Sequence, residues 1–528
     1  MLDPGARGAH LSRSRAHSFP PAAMHRSLPL LRLAVLTSLA GCASLAPVAT
    51  TATPGAPADS RAALRRLVDS LISAPEFRSM HWGILIVDPG RGETLYSHNA
   101  DKLFMPASNQ KLLTGSTALT QLGPDYRWPT TLWARGAVRE GVLEGDLVVR
   151  GQGDPTVSAH AHAGDALAPL RALGDSLRAR GITRIRGRIV AAASPFTDSP
   201  LGFGWSFDDL DAAYSAGVDA LYFNEGFSEV VVYGGAKAGD SVRAVTRPAT
   251  TYPTLIVRAR TVARAPAGAS AADSLAARPR ITVGQDSSHT GVLVAGTIAA
   301  GDSVVEEIAF RDQSGAYVAA MREAFRAQGI IVDEAPSDTT ARLDSLAGMW
   351  SPTLRDIMPL FEKPSQNQIG EILFKSLALA KTGVGTADSA QQVVSRQLLA
   401  WGAPPDGFVV RDGSGLSRHD YVSPRTIVTV LDVMRRSPDF RLFYDALPIA
   451  GVDGTIRNRM KGTPAEGNLH AKTGTLDKAR SLSGYVTTAD GRMLLFSALA
   501  NNYTVPTRRV DQVTDALGAW LAGLRLDR

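Results

Sequence analysis

Cysteine is nearly absent. The 528-residue chain has one, Cys42, so no disulfide can form within it. Lysine is scarce as well, 9 of the 56 basic residues, which makes each one easy to inspect. Aromatics are 6%, beside 44% apolar and 20% charged residues, and these ordinary values exclude wholesale disorder, collagen and coiled coil. The net charge of +6 contains no Lys/Arg-rich run. Residues 1–41 hold five Arg and one Asp, and the rest of the chain carries only +2, so a nucleic-acid partner is excluded. The ten His show no metal-ligand spacing, His160 and His162 reading as solvated loop residues. Gly151-Gln152-Gly153-Asp154 lacks the second half of any phosphate-loop fingerprint. No metal and no cofactor are expected. No stretch beyond the N-terminal region could span a bilayer.

That N-terminal region has an order of its own. From Met24 a short basic stretch (His25, Arg26, Arg32) leads into an apolar run too short for a membrane helix, ending in Leu39-Ala40-Gly41-Cys42. The layout is that of a signal peptide, and its end resembles the bacterial lipobox. By that resemblance residues 1–42 are a signal with Cys42 as the lipidation site, and Met24 reads as an alternative start. An ordinary export signal with a chance cysteine is the plainer alternative. Ala43 and Ser44 carry no Asp retention signal, which favours an outer-membrane anchor facing the periplasm. Residues 43–59, rich in Ala, Pro, Thr and Ser, read as a tether.

Length suggests about three domains at roughly 150 residues each. A helix is expected over about 60–74, a strand over His81–Asp88, a partner strand over Thr94–Asn99, and a helix over Pro106–Leu122. From about 137 the texture changes to short alternating strands around a helix at Ala166–Arg180. Residues 228–300 read as a small all-β unit, followed by a helix at Ser314–Gln328. Helical patterns return from Thr353. A hairpin follows (Ser481–Thr488, turn Asp490-Gly491, Arg492–Leu499), then a helix over Arg509–Leu524. The outer pieces, 60–136 and 345–528, share one α/β texture, and the middle reads as insertions, 137–227 with 301–344 and 228–300 within them. Trp128 and Trp133 read as packing residues.

Three short motifs carry chemistry. Ser108-Asn109-Gln110-Lys111 opens the helix at Pro106. Positions i and i+3 share a helix face, so the lysine reaches the serine hydroxyl. A lysine desolvated beside another cation loses enough basicity to act as a base, and a helix N-terminus favours a developing oxyanion. Ser365-Gln366-Asn367 precedes a second helix, its hydroxyl and carboxamide suited to moving a proton and holding an amide. A helix N-cap is the plain alternative for Ser365. Lys472-Thr473-Gly474-Thr475 follows an extended segment and precedes the hairpin, which puts it on a sheet edge. There a peptide-like substrate can add by main-chain hydrogen bonds, Lys and Thr can meet a carboxylate, and Gly allows close approach. A decoy, Lys381-Thr382-Gly383, ends a helix, where Gly383 reads as a C-cap.

Each motif is weak alone, but together and in this order they match signatures of penicillin-binding proteins and β-lactamases. The chain resembles the DacB-type D-alanyl-D-alanine carboxypeptidases/endopeptidases, class C low-molecular-mass penicillin-binding proteins. The resemblance is carried by PASNQKLLTGSTAL (106–119), GDPT (153–156), KPSQNQIGEIL (363–373), RDGSGLSRHDYVSP (411–424), LPIAGVDGTIRNRM (447–460) and HAKTGTL with SLSGYV (470–486). The gap of roughly 250 residues between the first two motifs suits a family with inserted domains.

The resemblance implies an α/β fold: a transpeptidase-like domain of antiparallel sheet and helices, interrupted by two smaller β-rich domains. It implies that Ser108 forms an acyl-enzyme with the penultimate D-Ala and Lys111 takes its proton. Ser365 relays a proton to the leaving amine with Lys472, and Asn367 holds the substrate amide. Lys472 and Thr473 meet the terminal carboxylate, and the backbone N–H groups of Ser108 and Thr475 form the oxyanion hole. The implied partners are peptidoglycan stem peptides, β-lactams as covalent inhibitors, and a membrane through the lipid anchor. Arg418 falls where the family places an arginine near the substrate, with pairing to Asp412 inside its loop as the alternative. Asp154 reads as a turn organiser. Family members often carry an Asp before a Ser-x-Phe, whereas this chain has Ala191-Ala192-Ala193-Ser194-Pro195-Phe196, which leaves recognition of the free D-centre open. The alternative functions are a β-lactamase or esterase and a non-catalytic cell-wall-binding lipoprotein.

Overall fold

At the centre lies a five-stranded antiparallel sheet whose strands come from both ends of the chain. Its order is Glu93–His98, His81–Asp88, Met493–Asn501, Ala479–Thr487, His470–Leu476. The computed structural model describes residues 57–526, apart from 267, 269, 271–277, 287–290 and 337. The signal, Cys42 and most of the 43–59 tether therefore lie outside the described residues. The first helix runs Pro57–Ile72, beginning inside the stretch read as tether.

Strand alternation explains why the sheet is covered on both sides. Trp82, Ile84, Ile86, Leu482, Val486, Leu494, Phe496 and Ala498 project into one core with Leu64 and Val68 of the first helix and Leu517 of the Thr507–Gly523 helix. Leu85, Tyr485, Leu495 and Leu499 project the other way, into a larger helical core. That core is built from the helices Gln110–Leu122, Leu354–Glu362, Asn367–Thr382, Ala387–Ala400 and Pro424–Arg436.

Between residues 129 and 350 the chain makes one long excursion. Pro129–Arg135 leaves and Leu343–Trp350 returns as antiparallel neighbours, Pro129 opposite Trp350, in a sheet completed by Asp146–Gly151 and Ile189–Ala191. Residues 129–136 and 345–350, read from sequence with the outer pieces, thus pair within the excursion. The helices Ala168–Ala179 and Gln313–Ala327 pack against this sheet. Farther out, Phe227–Tyr233, Arg243–Arg247 and Ser303–Ala309 form one small sheet, and Leu255–Val257, Arg260–Val262, Arg280–Gln285 and Val292–Ala299 form another, around a valine-rich core. The connecting segment 194–225 folds back over the helical core, where Phe196, Val218, Ala220 and Tyr222 cluster with Ile372. Trp128 is buried and donates from Nε1 to Ser376 Oγ at 2.8 Å, and Arg150 lies over the Trp133 ring.

Candidate active site

Ser108 sits in a short 3-10 turn, Ala107–Asn109, that runs directly into the Gln110–Leu122 helix. Ala107, just before it, has φ +48°, a conformation that costs a non-glycine residue about 1–3 kcal/mol. The turn is held from several sides. Asn109 Nδ2 donates to the Lys472 carbonyl at 2.9 Å, Ser481 Oγ donates to the Pro106 carbonyl at 2.8 Å, and Met105 N donates to Asn501 Oδ1 at 2.8 Å. The edge strand and the serine turn are therefore locked together. Gly474 belongs to the same contact: a Cβ there would lie 2.1 Å from Ser481 Oγ and 2.5 Å from the Pro106 carbonyl. From sequence alone this glycine serves substrate approach. In the structure, the packing of strand against turn already requires it.

Lys111 is fully buried, and its Nζ has three neighbours: Ser108 Oγ at 2.9 Å, Asn367 Oδ1 at 2.6 Å and the Ser414 carbonyl at 2.7 Å. Two of the three can only accept. The Asn367 amide is oriented by its own Nδ2, which donates to the Tyr214 carbonyl at 2.7 Å. A free amine spends its two N–H groups on these acceptors and is left with one lone pair, facing the hydroxyl of Ser108. Burial, reinforced by the charge of Lys472, pulls Lys111 down to about 7.

Lys472 is also fully buried. Its Nζ donates to Ser365 Oγ at 2.7 Å and to the Thr473 carbonyl at 3.2 Å. Burial lowers its pKa, opposed by the carboxylate of Glu362. Ser365 stands at φ +64° and does not cap the following helix; Gln366 does, accepting from Ile369 N at 2.9 Å. The strained backbone turns the Ser365 hydroxyl toward Lys472. The decoy Lys381 ends its helix, and Gly383 is left-handed at φ +77°. Thr473 Oγ1 is 2.7 Å from Thr455 Oγ1, and Thr475 Oγ1 accepts from Arg480.

Hydrogen bonds thus join all three motifs in one cluster. Arg418 reaches the far end of the edge strand, its guanidinium donating to the Asp477 carbonyl at 3.4 Å. It does not pair with Asp412. Asp412 instead accepts from Gly415 N, Ser417 N and Trp205 Nε1. Asp154 accepts from Thr156 N and Oγ1 and organises its turn, and burial raises it to about 6.

Several further residues complete the site, brought in from positions that no local motif marks. The Ser414 carbonyl is aimed by Glu371, which accepts from Gly413 N and Ser414 N at 3.1 and 2.8 Å. Burial, and next to it Asp412, pushes Glu371 well above the usual carboxylate range. Tyr214 and Trp205 come from the folded-back segment, 150 or more residues from their partners Asn367 and Asp412. The only signal for Glu371 was its place four residues after Asn367 on one helix face. Nothing local marked Tyr214.

A partly exposed serine hydrogen-bonded to a fully buried lysine, beside a second buried lysine on the edge of an antiparallel sheet backed by helices, defines a serine hydrolase of the penicillin-binding, β-lactamase-like class. Residues 64–524 match the D-Ala-D-Ala carboxypeptidase 3 (S13) family. The chain is 33% identical over 478 residues to the D-alanyl-D-alanine carboxypeptidase of Actinomadura sp. (strain R39), which covers 87% of this chain and 84% of that one. It is 26% identical over 437 residues to the D-alanyl-D-alanine carboxypeptidase DacB of Haemophilus influenzae, covering 80% and 85%. The crystal structure of penicillin binding protein 4 (dacB) from Haemophilus influenzae shares the fold, with a TM-score of 0.71 at 24% identity over 85% of this chain and 98% of that one. The chain belongs to the D-Ala-D-Ala carboxypeptidase 3 (S13) family and is a serine D,D-peptidase.

Proposed function

We propose that this D,D-peptidase cleaves peptidoglycan stem peptides through an acyl-enzyme on Ser108 and is acylated at the same oxygen by penicillin. The observation that carries the reading is Lys111 Nζ, held by two groups that can only accept, Asn367 Oδ1 and the Ser414 carbonyl, and 2.9 Å from Ser108 Oγ, so that as a free amine it turns its lone pair to that hydroxyl. Ser108 Oγ attacks the carbonyl of the penultimate D-Ala as its proton passes to Lys111 Nζ. The backbone N–H groups of Ser108 and Thr475 stabilise the oxyanion, each donor worth about 3–4 kcal/mol in such a hole. Ser365 relays a proton from the Lys472 ammonium to the departing amine; water then adds to the acyl carbonyl, its second proton returning to Ser108 Oγ as the acid leaves, and the two lysines regain their starting states by proton exchange with solvent. Lys472 and Thr473 hold the terminal carboxylate against the edge strand, with Gly474 allowing the strands to close. Asn367 orients the substrate amide, and Arg418 at the strand's far end meets the substrate's side chain.

The remaining parts complete the reading. Residues 1–42 hold a signal that is cleaved ahead of Cys42, which is then lipidated, and the stretch from 43 to the first helix at Pro57 is a tether to an outer-membrane anchor facing the periplasm. The catalytic domain is the part outside the excursion, up to residue 128 and from 351 on; domain II is the sheet closed by Pro129–Arg135 and Leu343–Trp350 with its helices, and domain III runs from Phe227 through Ala309, each boundary shifted from the sequence-based 60–136 with 345–528, 137–227 with 301–344, and 228–300 by the strand pairing. Fluorescent penicillin tests the centre of the proposal. A long-lived label on the protein that disappears in Ser108→Ala is expected. A label lost within seconds would mark a β-lactamase, and a folded protein that takes no label would refute the acyl-enzyme. Incorporation of labelled palmitate, abolished by Cys42→Ala, tests the anchor.

A further inference from the structure

Glu362 closes the Leu354–Glu362 helix, three residues ahead of Ser365 with its positive φ, and is fully buried. Neither carboxylate oxygen has a hydrogen-bond partner among the described residues. Such a group is strongly unfavourable inside a protein unless nearby charge offsets it. The chain nevertheless makes room for it. Gly115 lies one turn beyond Lys111 in the serine helix, and a Cβ there would sit 2.9 Å from Glu362 Oε1, with Met358 and Phe361 at 3.2 Å. Glycine within a helix is itself destabilising relative to alanine. The helix thus gives up a methyl group at the point where it would crowd the carboxylate.

The charges that act on Glu362 are Lys472 from the edge strand and Lys111 from the serine helix. Burial raises the Glu362 pKa, and both lysines pull it back. Its own helix supplies no counter-charge: Lys363, next in the chain, pairs with Asp453 at 2.6 Å and the Leu447 carbonyl at 3.0 Å. Asp412 and Glu371 also add negative potential at Lys111, but their oxygens are engaged by the backbone N–H groups of residues 413, 414, 415 and 417. Glu362 alone among these acids is free of such ties.

We propose that Glu362 is a positioning residue for acylation: its unpartnered carboxylate is the counter-charge that lets one cavity hold two lysines, keeping Lys472 an ammonium while Lys111 stands as a free amine. The inference rests on the reading of Ser108 and Lys111 given above. Before attack, Lys472 and Glu362 cancel and Lys111 is neutral. When the proton passes from Ser108 Oγ to Lys111 Nζ, a second ammonium appears in the same buried space. With Glu362 ionised the three side chains then carry one net positive charge; with a neutral residue in its place they would carry two.

The test is the rate of acylation by a fluorescent penicillin as a function of pH for the full-length protein, Glu362→Gln and Glu362→Asp, with a thermal melt of each. Loss of the negative charge lowers the pKa of both lysines, so the Gln variant should move both limbs of the profile to lower pH by about one unit and lower the maximum about tenfold. The Asp variant keeps the charge and should keep both limbs in place. Limbs that do not move in a folded Gln variant, or an Asp variant shifted as far as Gln, would overturn the role of Glu362. Should the Gln variant fail to fold, glutamate carboxyl NMR of the wild type decides, with the Asp variant assigning the resonance. A Glu362 midpoint that moves on acylation supports the role, and one that stays put overturns it. A folded wild type that takes up no penicillin would refute the functional reading itself, a different outcome from an unmoved profile in a labelled protein.

Discussion

The two faces of the five-stranded sheet are both buried, yet they bury different chemistry. The face toward Pro57–Ile72 and Thr507–Gly523 is aliphatic and aromatic inside, and its charges, Arg459, Arg480, Asp511 and Asp515, form a partly exposed network along one edge. The face toward the serine helix takes Lys111, Lys472, Glu362, Glu371, Asp412 and Asp420 almost entirely out of water. Burial of apolar surface stabilises by roughly 25 cal/mol per Å², whereas buried charge repays its desolvation only through well-placed partners. Both faces supply stability through their apolar cores, and the face toward the serine helix gives up some of it to hold groups in protonation states that water would not allow.

Breaking this contrast on the polar face should have the largest effect. Lys111→Met is expected to lower penicillin acylation about 10⁴-fold, the upper range for removing a general base. Because the variant buries no charge, its melting temperature should stay level or rise; a large fall would mean that the cavity depends on this cation for its fold. On the other face the signs reverse. Phe496→Ala should cost about 3–5 kcal/mol in denaturant unfolding, while the folded fraction acylates within about twofold of wild type. Gly474→Ala bridges the two, since its Cβ would meet Ser481 Oγ and the Pro106 carbonyl. Displacing the serine turn by a fraction of an ångström should slow acylation about 10²-fold, read by the same labelling assay.

The smallest effect, and the sharpest, is in pH. Lys111 must be a free amine, so acylation should rise with pH through about 7, roughly tenfold per unit below it. Lys472 must be charged, and its pKa is lowered by burial, so the rate should fall again on the alkaline side, earlier than an exposed lysine would give. Buried Lys111 also contributes to stability with a definite sign. The folded protein binds fewer protons there than the unfolded chain between about 7 and the ordinary lysine value, so this group's contribution to stability rises with pH across that window.

How much of this was legible depends on distance along the chain. The hairpin over 479–501 was readable because alternation in one strand reports which side chains face which core. The serine–lysine pair was readable because i and i+3 share a helix face. The edge position of Lys472 followed from its place before the hairpin. What could not be read was long-range. A serine before a helix looks like a cap, and only the packed backbone shows that Gln366 caps while Ser365 is twisted toward Lys472. Arg418 and Asp412 share a loop, yet Asp412 is consumed by backbone N–H groups and Trp205, leaving Arg418 to reach Asp477.

The sequence by itself determined the residue types, the local faces on which they stand and the order of the three motifs, since helical and strand periodicity act over a few residues. Only the tertiary structure decided that Tyr214 orients the Asn367 amide, that Gly115 opens a space for Glu362, and that two fully buried lysines lie close enough for one to depress the basicity of the other. Desolvation depends on everything that surrounds a group, and those surroundings are assembled from segments hundreds of residues apart.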